Sequence, residues 1–416
     1  MSERKSLADA AWLVSGQAAP LLKRLDHDGE EARIVGGAVR NALLRLPVHE
    51  IDIATTALPE EVIRRVESAG WTAVPTGIEH GTITVLIAGK PFEVTTLRRD
   101  VETYGRKAKV VFGRDWVADA ARRDFTINAL SLSPDGQLYD YTGGITDLVA
   151  RRIRFIGDPA QRIAEDYLRI LRFFRFHAWY GEGAPYPEGL LACIRGRAGM
   201  DSLSRERVRA ELLKLLLAPH ATAILALMSE IGLLGNVLGG IAFLASFENL
   251  VKLEATTGTD PDPVRRLGAL GVWVGEDGER LAQRLRLSNA DAQTLTALEQ
   301  WWRVSPEGGA TAGRALLYRL GAKHYSDRVL VAWSRSAAGA ADRAWRALAE
   351  LPRIWTAPEF PLKAADFMAR GFAAGPAVGA AMRAAEQAWI AADFPADAAT
   401  IQAIANRAAQ ETKPKR

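Results

Sequence analysis

Residues 33–52 read RIVGGAVRNALLRLPVHEID, and the fold of the chain turns on this stretch. Arg33, Ile34 and Val35 make a short strand-like run, Gly36 and Gly37 supply a turn, and the apolar positions beyond them recur at helical spacing until Pro47. A strand that passes through a glycine pair into a helix can set backbone N–H groups against a phosphate, with Arg40 one turn in as a counter-charge. The same pattern serves as a plain tight turn, so the neighbouring residues must decide between the two.

Residues 50–56 read EIDIATT, in which Ile51 and Ile53 alternate with Glu50 and Asp52. Strand geometry sets both carboxylates on one face, where they can share a divalent cation; the alternative is an edge strand with a solvated face. A third acid shifts the balance. Glu93 stands between Phe92 and Val94 in PFEVTT, residues 91–96, after a hairpin at Gly89 and Lys90, and the alternation aims Glu93 and Thr95 at the face of the first pair. Three acids on adjacent strands beside a phosphate-cradling turn describe a two-metal phosphoryl-transfer site, with Glu50, Asp52 and Glu93 as catalytic acids and Glu50 and Asp52 as metal ligands.

The rest of the chain organises itself around this core. Strand-like runs (RIVGG, IDIATT, GTITVLI, PFEVTTL and a late LYDY) fall between about residues 33 and 141, and helical periodicity dominates after about 151. An α/β head followed by an all-helical remainder is the simplest organisation. Residues 180–189 and 256–263 are loops by their Gly and Pro content, and no repeat of fixed period is present. The Ala-rich end reads as a helical tail that closes on a frayed basic KPKR. With 416 residues, 48% hydrophobic and 25% charged, the chain has material for several packed units, which excludes disorder and fibrous repeats. Lys and Arg total 53 against 49 Asp and Glu, a net of +4, so any basic footprint must be local. The single Cys193 excludes an internal disulfide, and His27, His49, His80, His177, His220 and His324 show no close ligand spacing; a reducing cytoplasm fits. The opening MSERKSLADAAWLV reads as a first helix rather than a secretory signal. The longest uncharged stretch, residues 231–247, holds four Gly and an Asn, and predicts a buried helix pair with a Gly turn, not a membrane span.

GGAVRN, EIDIATT, EVTTLRRD, RRDFTINAL and GDPAQRIAEDYLRILRFFRF, in that order and spacing, resemble the class II tRNA nucleotidyltransferase and bacterial poly(A) polymerase superfamily over about residues 34–217. LSRERVRAELLKLL, residues 203–216, looks like that family's neck helices, and the chain after about 265 carries no usable motif. The resemblance implies an α+β fold: an N-terminal nucleotidyltransferase head with a mixed β-sheet and flanking helices, followed by an all-α neck, body and tail. The expected divisions are an N-terminal helix over 1–27, the head over 28–150, neck and body over 151–262, and a tRNA-binding body and tail over 263–416. Two positions depart from the family pattern. Glu50 stands where the metal-binding pair normally has Asp, carrying its carboxylate one methylene further out, and Asn41 stands where Asp is often found, so it is given only local hydrogen bonding.

Residues 162–176 predict a continuous amphipathic helix, with Ile163, Tyr167, Ile170, Leu171 and Phe174 on one face and Arg162, Asp166 and Arg169 on another. An ordinary i, i+3 ion pair is the plain reading of that second face. Base chemistry offers another. CTP and ATP present an amine donor beside a ring-nitrogen acceptor, whereas UTP and GTP present a carbonyl beside an N–H; a carboxylate accepts and a guanidinium donates, so Asp166 with Arg169 suits the first pair. The resemblance implies this role, since the family's Glu-Asp-x-x-Arg template is matched by Glu165, Asp166 and Arg169. It also implies that Arg123 and Asp124 of RRDFT lie near the ribose hydroxyls, and Arg172 and Arg175 continue the nucleotide-facing side of the helix. Residues 103–113, with Gly105, Lys107 and Lys109, are expected to move when nucleotide binds.

Residues 151–209 hold 12 Arg and no Lys against 7 Asp and Glu, a local +5 that exceeds the charge of the whole chain. Arg205, Arg207 and Arg209 are the expected RNA contacts, a solvated helix face being the alternative. The expected activity is template-independent addition of CCA to the tRNA 3′ end from CTP and ATP, with two Mg²⁺ ions, no membrane association and no obligate protein partner. A poly(A) polymerase and a non-catalytic RNA-binding paralogue disabled by Glu50 are the rivals. An appended phosphohydrolase finds little support, because the one His-Asp doublet, His27-Asp28, precedes the head.

Overall fold

The computed structural model describes residues 10–14, 16–104 and 107–412, and divides the chain into two compact units, Met1–Leu233 and Leu234–Arg416. The first carries every strand among the described residues. β1 (Ala32–Val35), β2 (Asp52–Thr55), β3 (Thr72–Gly77), β4 (Thr82–Ile87), β5 (Lys90–Thr96), β8 (Ser131–Leu132) and β9 (Leu138–Tyr139) form one sheet in the order β3-β4-β5-β2-β1-β8-β9, while β6 (Arg98–Tyr104) and β7 (Lys107–Phe112) pair as a separate hairpin. β2 and β5 run parallel and every other neighbour pair is antiparallel, so the sheet is mixed, as expected.

Alternation in β4 and β5 buries Ile83, Val85, Phe92 and Val94 on one face, which the Pro59–Ser68 helix covers with Val62 and Val66. Each such side chain contributes roughly 1.5–3 kcal/mol by burial. Pro59 opens that helix where a missing N–H costs nothing, and Glu60 and Glu61 sit in its first turn, where the helix dipole favours them. The other face, bearing Glu93 and Thr95, is left open, and the head therefore presents its acids on an uncovered side.

The strands that sequence reading did not name have reasons to be hidden. β3 contains Pro75 and lies at the sheet edge, β8 is two residues long, and β6 and β7 form their hairpin in a stretch that reads only as charged and flexible. In the 103–113 segment expected to move, Gly105 lies outside the described residues, as do the side chains of Lys107 and Lys109. The KPKR end also lies outside them.

Beyond the sheet, Asp158 caps the Pro159–Glu165 helix by accepting from the Gln161 N–H at 2.7 Å. The expected continuous helix over 162–176 is corrected here. It stops at Glu165, Asp166 is extended (φ −158°, ψ 105°), and a second helix runs from Leu168 to Tyr180. Phe125, Phe155, Phe173 and Phe176 then join this second helix to the head, with ring centroids 4.9 Å apart for Phe125–Phe155, 5.5 Å for Phe155–Phe173 and 5.2 Å for Phe125–Phe176.

The second unit is helical throughout its described residues. Leu233–Leu238 leads to Gly239 at φ 68° and then to Leu244–Thr257, the helix pair with a Gly turn that residues 231–247 predict. Glu254, Arg265, Arg266 and Asp327 form a buried ionic network: Arg265 Nη2 donates to Glu254 at 2.6 Å and its Nη1 to Asp327 at 3.0 Å, and Arg266 Nε donates to Glu254 at 2.8 Å. Phe367, Phe372, Val378, Ala381, Ala385 and Ala405 form a core among the last helices. No helix among the described residues is long and apolar enough to cross a membrane.

Candidate active site

β2 and β5 set the acids. Asp52 opens β2 and is the register partner of Glu93 on its parallel neighbour, so both side chains leave the same face of the sheet. Glu50 is not in the strand, which corrects the expected alternation: it is an exposed residue of the irregular segment before β2. It remains close enough to act on Asp52. Enclosure by neighbouring atoms first, and then the Glu93 charge, push the Asp52 carboxyl above the ordinary aspartate range; Arg123 opposes this and Glu50 adds to it. Among the described residues no three His, Cys, Asp or Glu side chains are gathered as a ready metal cluster. The donor set is nevertheless all carboxylate oxygen, and its crowded negative charge is what a hard divalent cation would relieve, so the residues fit such an ion.

Gly36 brings the second motif to these acids. Its φ of 68° and ψ of −120° suit glycine alone, and a Cβ there would stand 3.4 Å from Arg123 Nη1, so the Gly turn and the RRDFT segment touch. Gly37 begins the Gly37–Leu43 helix, and a Cβ on it would stand 3.5 Å from Arg40 Nη2. Arg40 itself departs from expectation. Buried, it donates to Asn41 at 3.2 and 3.0 Å, to Asn128, and to the Tyr180 hydroxyl at 2.9 Å, over whose ring it also stacks at 4.1 Å. With its fork committed to the protein, Arg40 ties the head to the Leu168–Tyr180 helix instead of standing free as a phosphate counter-charge. Asn41 makes only local bonds, accepting from Arg40 and donating to the Pro47 carbonyl at 3.1 Å.

Arg123 is held from behind. Asp119 receives its Nη2 at 3.1 Å and the Arg122 Nε at 2.8 Å; burial works to raise the Asp119 carboxyl, but these two guanidinium groups hold it below the ordinary range. Asp119 was not among the expected site residues, although its i, i+3 and i+4 spacing to Arg122 and Arg123 on a helix would have found it. Asp124 is committed on both oxygens. Oδ1 accepts from the Phe125 N–H at 2.8 Å and Asn128 Nδ2 at 3.0 Å, and Oδ2 from Arg172 Nε at 2.8 Å. Burial works to raise its carboxyl, yet Arg172 and these donors hold it lowered. Arg172 and Arg175 both reach Glu211, at 3.5 and 2.5 Å, so they bind the Arg205–Leu216 helix to the Leu168–Tyr180 helix rather than lying free. Glu211 escaped sequence reading because its partners lie 39 and 36 residues away, as did the bond from Arg40 to Asn128 across 88 residues.

The extended Asp166 opens a cleft of about 480 Å³ lined by Ala164, Glu165, Asp166, Tyr167, Ser202, Leu203, Ser204 and Arg207. Asp166 and Arg169 are both at this joint but are not paired. Arg169 donates to Glu165 and, at 2.6 Å, to the Arg162 carbonyl, while Arg162 donates to Glu165 at 2.5 Å. Asp166 is bound instead by Arg207, which sequence reading placed on the RNA. Arg205 and Arg209 lie on the same helix, half-exposed.

Residues 32–154 match the family described as poly A polymerase head domain, and residues 194–244 the one described as probable RNA and SrmB-binding site of polymerase A. The chain is 35% identical over 368 residues to the mitochondrial CCA tRNA nucleotidyltransferase 1 of Danio rerio, covering 86% of this chain and 83% of that protein. It is 35% identical to the CCA-adding enzyme of Limosilactobacillus fermentum, over 88% of this chain and 90% of that one. Among solved structures, the Bacillus stearothermophilus CCA-adding enzyme in complex with CTP superposes with a TM-score of 0.77 at 27% identity, covering 95% of this chain and 98% of that one. The Thermotoga maritima CCA-adding enzyme complexed with tRNA shares the fold, with a TM-score of 0.65 at 17% identity over 94% of each chain.

Proposed function

The chain belongs to the CCA-adding tRNA nucleotidyltransferase family, and from that premise we propose how its residues divide the work of adding CCA to tRNA 3′ ends from CTP and ATP. The observation that carries the reading is the register of Asp52 with Glu93 beside the Gly36 turn and Arg123, in one unit with the Asp166 and Arg169 joint. Family membership brings divalent-metal use with it. In this reading the metal is Mg²⁺, two ions, with Asp52 and Glu50 as ligands; when bound they supply charge neutralisation at the α-phosphate and at the leaving pyrophosphate.

The protein's own groups do the rest. Asp52 and Glu93 concentrate negative charge where a cation and the tRNA 3′-hydroxyl must meet. Gly36 lets the backbone approach the triphosphate, and Arg123, braced by Asp119, faces that approach. Asp124 acts at the ribose end by fixing Arg172 and Asn128, both of its oxygens being engaged. Asp166 accepts the base amine and Arg169 donates to the ring nitrogen, so that UTP and GTP leave buried polar groups unpaired, at about 1–3 kcal/mol each. Arg205 and Arg209 are assigned to the RNA backbone, and a cytoplasmic setting goes with a lone buried Cys193.

The test is incorporation of labelled CTP and ATP, singly and together, into tRNA ending at the discriminator base with Mg²⁺ present. Two C additions from CTP alone, then one A when ATP joins, are expected. Long A tails from ATP alone would make the chain a poly(A) polymerase, and no incorporation under any divalent metal would leave only RNA binding.

A further inference from the structure

Arg207 grips Asp166 with both arms of its fork: Nη1 donates to Oδ1 at 3.2 Å and Nη2 to Oδ2 at 2.6 Å. The Leu168 N–H donates to Oδ1 as well, at 3.2 Å. A carboxylate oxygen offers about two acceptor sites, so Oδ1 is filled and Oδ2 keeps one. That remaining site belongs to a residue lining the cleft, whose other wall is Ser202, Leu203 and Ser204. A base amine needs one acceptor. Arg207 is itself a strong donor on the same cleft, and left unpaired it would welcome the carbonyl edge that CTP and ATP lack at this position. Its pairing with Asp166 engages one N–H on each arm of the fork, which such a carbonyl would otherwise compete for.

We propose that Arg207 is a specificity-determining positioning residue: it fixes the plane of the Asp166 carboxylate so that Oδ2 alone meets the base, and one N–H on each arm of its fork is engaged in doing so. This rests on the reading that Asp166 receives the base amine. The arrangement explains why the helix breaks where it does. An Asp166 carried on a continuous helix would have its backbone N–H and direction set by helical pitch, whereas the extended joint lets the carboxylate turn to a partner 41 residues later in the chain. Neither Arg169 nor Arg172 takes its place, since Arg169 answers to Glu165 and Arg172 to Asp124.

The experiment uses the full chain with Arg207→Lys and Arg207→Met, tRNA ending at the discriminator base, and separate kcat and KM for CTP and UTP. Both variants are expected to raise the CTP KM about tenfold, to hold kcat within about threefold, and to lower the preference for CTP over UTP about tenfold. The Lys variant keeps the charge without the fork, so selectivity lost there, with tRNA affinity retained, supports the proposal and separates it from a phosphate-binding role. An unchanged CTP-to-UTP preference in folded Lys variant, whether kcat or tRNA affinity falls, would overturn it. Failure of the parent chain to prefer CTP over UTP would instead overturn the reading on which it rests.

Discussion

Asp52 carries a charge that the fold works against. Its neighbours and the Glu93 carboxylate across the parallel register raise its carboxyl, so ionisation there strains the sheet end while serving the chemistry. Asp52→Asn keeps the shape and removes the repulsion. It is expected to lower CTP incorporation at least ~10³-fold while raising stability at pH 7 by about 0.5 kcal/mol, the scale of a like-charge cross-strand pair. Thermal melts beside incorporation assays check both, and a variant that is both active and less stable would remove Asp52 from the site. At this scale the sequence was informative about placement wherever position is set by a residue's own strand or turn: the Gly36 turn into a helix, and the face on which Glu93 stands, follow from local geometry and alternation. It gave Arg40 and Arg207 to phosphate and RNA and was silent on their protein partners, because an arginine's partner is chosen by whichever distant carboxylate or hydroxyl the fold delivers. Nothing in GGAVRN points to Tyr180, and nothing in SRERVR points to Asp166.

The Leu168–Tyr180 helix is fastened to the head through Arg172 and Asp124. Asp124 is depressed below its unfolded value, so its contribution to stability is full above the ordinary aspartate range and is lost as pH falls through the lowered one. Arg172→Ala leaves that carboxylate buried with its main cation gone, which is expected to cost about 3–5 kcal/mol at pH 7. The sign of the acid response should reverse. Burial then raises Asp124 against the Asn128 and Phe125 donors alone, so the variant gains stability relative to the parent as the pH is lowered from 7 toward 4, and denaturant midpoints across that range measure the gap. A gap independent of pH would mean that Arg172 acts by packing on Phe176, 5.2 Å away, and not by charge. Element boundaries were legible where capping residues mark them, as Asp158 and Pro159 do. The break at Asp166 was not, because RIAEDYLRIL contains no glycine or proline; the Asp that interrupts it is drawn out by a residue on another helix.

Across the whole chain, a strand-bearing head followed by helices was readable from the change of period near residue 151, since periodicity survives without tertiary information, whereas the mixed character of the sheet was implied by the family resemblance alone. Charge was less readable. Of the 12 Arg in residues 151–209, most are spent on carboxylates, several of them outside that window, whereas Arg151, Arg195, Arg197 and Arg205 make no ion pair among the described residues. The tRNA association constant should therefore fall with salt at a log–log slope of about −3, not the roughly −10 that counting every arginine would give. Filter binding between 50 and 200 mM salt, about the span over which such slopes are read, distinguishes the two. The buried network of Arg265, Glu254, Arg266 and Asp327 has a thermal side. Taking charges out of water costs less as temperature rises, because hydration of ions weakens on heating, while the gain from apolar burial levels off. The helices that meet at this network are thus held together by an interaction that improves with warmth, and the unit that contains them should give way to cold more readily than its size would suggest.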